Sequence, residues 1–203
     1  MTTPMPIYTA FAGHALLAAG PLAEVALAAR RAADGDAGAA VFIYEDATGR
    51  AIDVDTRGTD AEIVARLPLP LPLPTPVEPE AEPEGSPARP RGRGRPRLGV
   101  VAREVTLLPR HWDWLAGQPG GASVALRKLV EQARREHAGA DALRRGRDAA
   151  YTFMSAAAGN LPGFEEAVRA LYAGDAERLA AHMAGWPADV RAYALRLAGA
   201  ADL

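Results

Sequence analysis

Leu67-Pro68-Leu69-Pro70-Leu71-Pro72-Leu73-Pro74 decides how this chain is organised. Proline at every second position removes ladder donors and forbids helix, so the segment reads as extended polyproline II. The pattern continues to Glu84 with glutamate alternating with proline or alanine, and Glu78, Glu80, Glu82 and Glu84 meet no basic residue before Arg89. A stretch of this kind reads as a semi-rigid spacer, with a Pro-rich ligand for an aromatic groove as the alternative. It divides the 203 residues into three expected parts: a module over 1–66, a linker over 67–99 and a second domain over 100–203. The expected class is α+β.

Upstream of the spacer, residues 7–11 alternate apolar and polar, and Gly13-His14 is a turn into a second short strand over 15–19. Pro21 sits where the first turn of a helix tolerates it, and residues 22–33 carry apolar side chains at helical spacing. Residues 40–44 and 52–55 read as two further strands around the turn 45–50. Thr59-Asp60-Ala61-Glu62 has the form of a capping box that opens a last short helix. The order strand, strand, helix, strand, strand predicts a β-grasp-like sheet with one helix packed across it. Asp53 and Asp55 share a strand face here and read as solvated acids.

Downstream lies Arg89-Pro90-Arg91-Gly92-Arg93-Gly94-Arg95-Pro96-Arg97, with five arginines and no acid in nine residues. It cannot bury itself, so it is expected to stay extended until it meets a polyanion. The formal net charge of -2 hides this asymmetry. Residues 1–66 hold five basic against nine acidic side chains, whereas residues 89–147 hold fourteen against five. A cationic middle third in a mildly acidic protein points to nucleic acid.

Arg93-Gly94-Arg95-Pro96 resembles the core of the AT-hook, a short minor-groove DNA-binding motif. Glycine lets the backbone press into a narrow groove, and the flanking arginines can lie along the A·T floor where negative potential is concentrated. Pro96 holds the exit extended, and Arg91 and Arg97 reach out to phosphates. Arg-Gly tracts also occur in RNA binders and as solubilising tails.

Residues 100–108 read as a strand, 109–117 as a short helix, 118–122 as a turn and 123–136 as a second helix. Glu104-Val105-Thr106-Leu107-Leu108-Pro109, then Trp112 and Leu115, then Gly121-Ala122-Ser123 opening Leu126-Arg127-Lys128-Leu129-Val130, resembles the ribbon-helix-helix DNA-binding family. That resemblance implies a homodimer whose paired strands enter the major groove. Ser123 is then the N-cap of the second helix, with the amides of Val124 and Ala125 placed to hold a phosphate. Leu126, Leu129, Val130 and Ala133 make its buried stripe, and Arg127, Lys128, Arg134 and Arg135 lie off that stripe. The expected DNA contacts beyond the hook are therefore Arg103, Thr106, Ser123, Arg127 and Lys128. Strict alternation puts Val101, Val105 and Leu107 on one strand face and Ala102, Glu104 and Thr106 on the other, the reading face. Glu104 can accept from a cytosine but repels phosphate. Leu108 also falls on the Glu104 face, and a bulge would restore the family's register.

The last third reads as helices over 141–158, 164–172, 175–185 and 187–197, broken at Gly159-Asn160-Leu161-Pro162-Gly163. It makes a helical cap or dimer interface, with a regulatory-ligand pocket as a further option. His14, His111, His137 and His182 lack metal-ligand spacing and no nucleophile motif appears, so neither an enzyme nor a cofactor or metal site is expected. With no cysteine, no long apolar run and no signal-like start, a cytoplasmic protein is expected, with nucleoid association as an option. Residues 99–130, Leu161-Pro162-Gly163-Phe164-Glu165 and Trp186-Pro187-Ala188-Asp189-Val190 resemble a bacterial family known only as a domain of unknown function. The expectation is a DNA-binding regulator or nucleoid-associated factor that prefers A·T-rich duplex. The alternatives are a protein-interaction adaptor, an antitoxin-like partner, or an RNA binder through the Arg-Gly tract.

Overall fold

The computed structural model of the chain describes residues 7–35, 40–68 and 103–200. Two compact units divide it: Met1–Leu67 packs with Gln132–Leu203, and Pro68–Glu131 is separate. Strands β1 (Tyr8–Ala12) and β2 (Ala15–Gly20) form a hairpin, followed by helix α1 (Leu22–Gly35) and strands β3 (Val41–Glu45) and β4 (Arg50–Ile52). Ala12 pairs Ala15 across Gly13-His14, and Gly13 takes φ +56, the left-handed region a two-residue hairpin loop needs. The expected element order is present, but the β-grasp-like reading is corrected. A β-grasp sheet sets its first and last strands side by side. This sheet runs β2-β1-β3-β4, all antiparallel, with β4 paired to β3.

Pleating splits the sheet residues between two cores. Ala10 and Ile43 face one way and pack with Val25 and Ala29 of α1. Thr9, Phe11 and Tyr44 face the other way. Helix α2 (Asp60–Arg66) starts on the expected capping box: the Thr59 hydroxyl accepts from Glu62 N, and Thr59 N donates to Glu62 Oε2 at 2.7 Å. The strand expected over 52–55 ends at Ile52. Asp55 lies in the following loop and pairs with Arg57 at 2.8 Å, and the hydrogen bonds from Arg57 lower its carboxyl pKa to about 2.

The remaining helices are α3 (Pro109–Ala116), α4 (Gly121–Ala157), α5 (Phe164–Ala173), α6 (Ala176–His182) and α7 (Ala188–Leu197). Helix α4 fuses the two helices expected over 123–136 and 141–158. Gly139 costs about 1 kcal/mol in a helix interior, but alanines flank it and no proline intervenes, so the ladder runs on. The break at 159–163 holds: Gly163, at φ +78, precedes α5, and Trp186 Nε1 donates to Pro162 O at 2.8 Å across it.

Phe11 and Tyr44 share their core with Ala150, Phe153, Met154, Tyr193 and Ala194, so the end of α4 and helix α7 cover the second sheet face. Above that core stands a polar node. Asp46 Oδ1 accepts from Thr9 Oγ1 and from the Tyr193 hydroxyl, both at 2.8 Å, while Oδ2 accepts from Arg196 Nη1 at 2.8 Å. Arg196 Nη2 also donates to Thr9 Oγ1 at 3.2 Å, and its guanidinium lies 4.8 Å from the Tyr193 ring centre. Burial, and then the Asp46 charge, push the Tyr193 phenol up from its ordinary pKa, so it stays a donor. Asp46→Ala strands the fully buried Thr9 hydroxyl and the Tyr193 hydroxyl without their acceptor. Urea unfolding should show a loss of about 2–3 kcal/mol. Arg196→Ala should cost about 1 kcal/mol or less, because that side chain is half exposed and screened. Equal losses in the two variants would mean the carboxylate is not the hub.

Candidate nucleic-acid interface

The expected contacts belong to the unit Pro68–Glu131. Arg91, Arg93, Gly94, Arg95, Pro96 and Arg97 lie outside the described residues. Arg103 and Thr106 are both exposed, and the strand expected over 100–108 is corrected where it is described: residues 103–108 make no strand. A ribbon strand takes its ladder from a second copy, and among the described residues 103–108 pair with no strand. Val105 is exposed and Leu107 half-buried, so alternation does not sort them into an inner and an outer face.

Helix α3 begins where expected, with Pro109 in its first turn and Leu108 as an extended cap. Leu115 turns inward, whereas Trp112 and Trp114 are exposed. Gly120 and Gly121 both take positive φ, +86 and +77, and reverse the chain into α4. A Cβ on Gly120 would stand 3.2 Å from the Val124 side chain, so this turn is also tight.

Ser123 is not the N-cap. Helix α4 has already begun at Gly121, so Ser123 is its third residue and is exposed. The Ala125 amide then falls within the i→i−4 ladder and is not free for a phosphate. Arg127 and Lys128 are exposed as expected, and so are Arg134 and Arg135. The apolar stripe behaves differently: Ala125 is buried and Leu126 half-buried, but Leu129 and Val130 are 44% and 57% exposed. One copy of this segment leaves Val105, Leu108, Trp112, Trp114, Leu129 and Val130 in solvent. Single exposed apolar residues are ordinary; six within residues 105–130 are the observation that bears on a partner.

Other arrangements were invisible in the sequence. Asp46 and Tyr193 are 147 residues apart, and no local spacing signals their hydrogen bond. Among the described residues no group of histidine and carboxylate side chains is set to hold a metal ion, and no helix is long and apolar enough to cross a membrane. Residues 7–198 match a family described as an uncharacterised protein conserved in bacteria (DUF2239). No curated protein and no solved structure matches the chain.

Proposed function

This chain belongs to the bacterial family DUF2239, and we propose that it is a dimeric DNA-binding protein, a transcriptional regulator or nucleoid-associated factor. The observation that carries the reading is the acid-free arginine tract Arg89–Arg97 within a segment of strong positive charge. Arg93, Gly94, Arg95 and Pro96 act as a minor-groove hook, and Arg91 and Arg97 neutralise phosphates. Arg103, Thr106, Arg127 and Lys128 add contacts from the same unit, all four being exposed.

Dimerisation follows from the apolar side chains that one copy leaves in water. Pairing residues 100–108 of two copies would supply the missing ladder and the ribbon, and would cover Val105, Leu129 and Val130.

The test is fluorescence anisotropy with A·T-rich and G·C-rich duplexes over a salt series, comparing wild type with Arg93→Ala/Arg95→Ala. With about five phosphates engaged, the log–log salt slope should be roughly -4 to -5. The wild type should prefer the A·T-rich duplex, with two chains per site, and the double variant should lose that preference. Equal affinity for duplex and single-stranded RNA would replace this reading with RNA binding. Weak binding to every polyanion at physiological salt, unchanged by the mutations, would replace it with a protein-interaction role.

A further inference from the structure

Two clefts of the unit that holds the C-terminal helices share a wall made by Leu143 and Arg147 of α4. One, of about 370 Å³, runs over Ala140, Asp148 and Tyr172. The other, of about 120 Å³, runs over Leu171, Leu179 and Ala198. The larger has a mainly hydrocarbon surface and is of the size that takes small ligands, about 300–1,000 Å³.

The charged groups around these clefts are accounted for with one exception. Arg144 pairs with Asp141 at 2.8 Å. Asp148 lies beside Tyr172, whose phenol pKa is raised by burial and then by the Asp148 charge. Asp175 accepts from Arg178 N at 3.0 Å and caps α6. Arg147 is half-buried, and among the described residues its guanidinium has no hydrogen-bond or ion-pair partner. Its Nη2 lies only 2.6 Å from where a Cβ on Gly174 would stand, so glycine at the α5 C-cap makes room for it. A half-buried guanidinium at the wall shared by two clefts, with no partner among the described residues, is placed to receive an anion.

We propose that the larger cleft binds an amphipathic monocarboxylate: the acyl chain lies over Ala140, Leu143 and the Tyr172 ring, and the carboxylate forks onto Arg147. Arginine matches a carboxylate with two parallel N–H···O bonds, which suits one planar monoanion. A phosphate dianion fits less well, because Asp148 and Asp175 border the two clefts and would repel the second charge. The site is independent of the proposed DNA contacts and would stand or fall without them.

Isothermal titration calorimetry on the full chain decides it, with octanoate, 1-octanol and acetate as probes. Octanoate should bind at one per chain, with acetate and 1-octanol each at least about tenfold weaker, since each lacks one of the two interactions. Arg147→Gln should weaken octanoate by at least about tenfold while leaving the weak binding of 1-octanol unchanged. Leu143→Glu provides a second variant: Leu143 is exposed, so the fold tolerates the change, yet an acid there should abolish octanoate binding. Thermal melts by circular dichroism confirm that both variants are folded. Octanoate and 1-octanol binding alike, unchanged affinity in folded Arg147→Gln, or no octanoate heat at millimolar concentration would each overturn the proposal.

Discussion

Phe153→Ala should lower the unfolding free energy by about 3–5 kcal/mol, measured by urea denaturation with circular dichroism detection. Phe153 is fully buried near the end of α4. Its ring centre lies 4.5 Å from Tyr193, 4.9 Å from Tyr44 and 5.6 Å from Phe11, the first two at nearly perpendicular planes. It therefore touches α7, β3 and β1 at once, and removing the ring loses apolar burial and three aromatic contacts together. Collapse around the hole is resisted because the strands on one side and α7 on the other are tied by the Asp46 node. Phe153→Leu, which keeps most of the volume, should cost less than half as much. A loss below about 1 kcal/mol for Phe153→Ala would mean that sheet and helices do not share this core.

Gly49→Ala should be comparably severe, at about 3 kcal/mol or more. Gly49 closes the turn between β3 and β4 at φ +66, and a Cβ there would stand 1.9 Å from Ala149 O and 2.7 Å from Ala149 C. The obstacle is helix backbone beside fully buried Ala150, so no flexible side chain can swing aside. Nor can the turn lift away freely: Gly49 N donates to Glu45 O at 2.8 Å, and neighbouring Asp46 is held by four hydrogen bonds including Asp46 N to Ile7 O. Gly13→Ala separates the steric clash from backbone strain. Gly13 has φ +56 but nothing within 4 Å of its would-be Cβ, so it should lose only the left-handed penalty of about 1–2 kcal/mol. Similar losses at the two positions would refute the close approach of the turn to α4.

Much of this was readable because it is local. The hairpin at Gly13-His14, the Thr59–Glu62 capping box, Pro109 in the first turn of α3 and the break at 159–163 all depend on residues within about one helical turn of each other. Of the readings that failed, one lost to a stronger local signal and the others needed something beyond that range. Ser123 looked like a cap because serine favours caps, but two positive-φ glycines start the helix two residues earlier. The strand expected over 100–108 had the alternation of a strand, but among the described residues 103–108 find no ladder partner. Leu126, Leu129, Val130 and Ala133 have the spacing of a buried stripe, yet spacing says only that they share a face, not that anything covers it.

The sequence by itself determined the local grammar and the charge: where hairpin, caps and most helices fall, and that Arg89–Arg97 concentrates cations that cannot be buried. Those features follow from neighbouring dihedral preferences and from side-chain chemistry, which need no knowledge of the remote chain. Only the tertiary structure decided that the N-terminal sheet packs on helices more than a hundred residues later, that Asp46 joins Thr9 to Tyr193 and Arg196, and that Arg147, without a partner among the described residues, stands between two clefts. The physical reason is that burial and hydrogen-bond completion belong to whichever surfaces the folded chain brings together. An aspartate at position 46 or an arginine at position 147 carries no local mark of its partner, or of the lack of one.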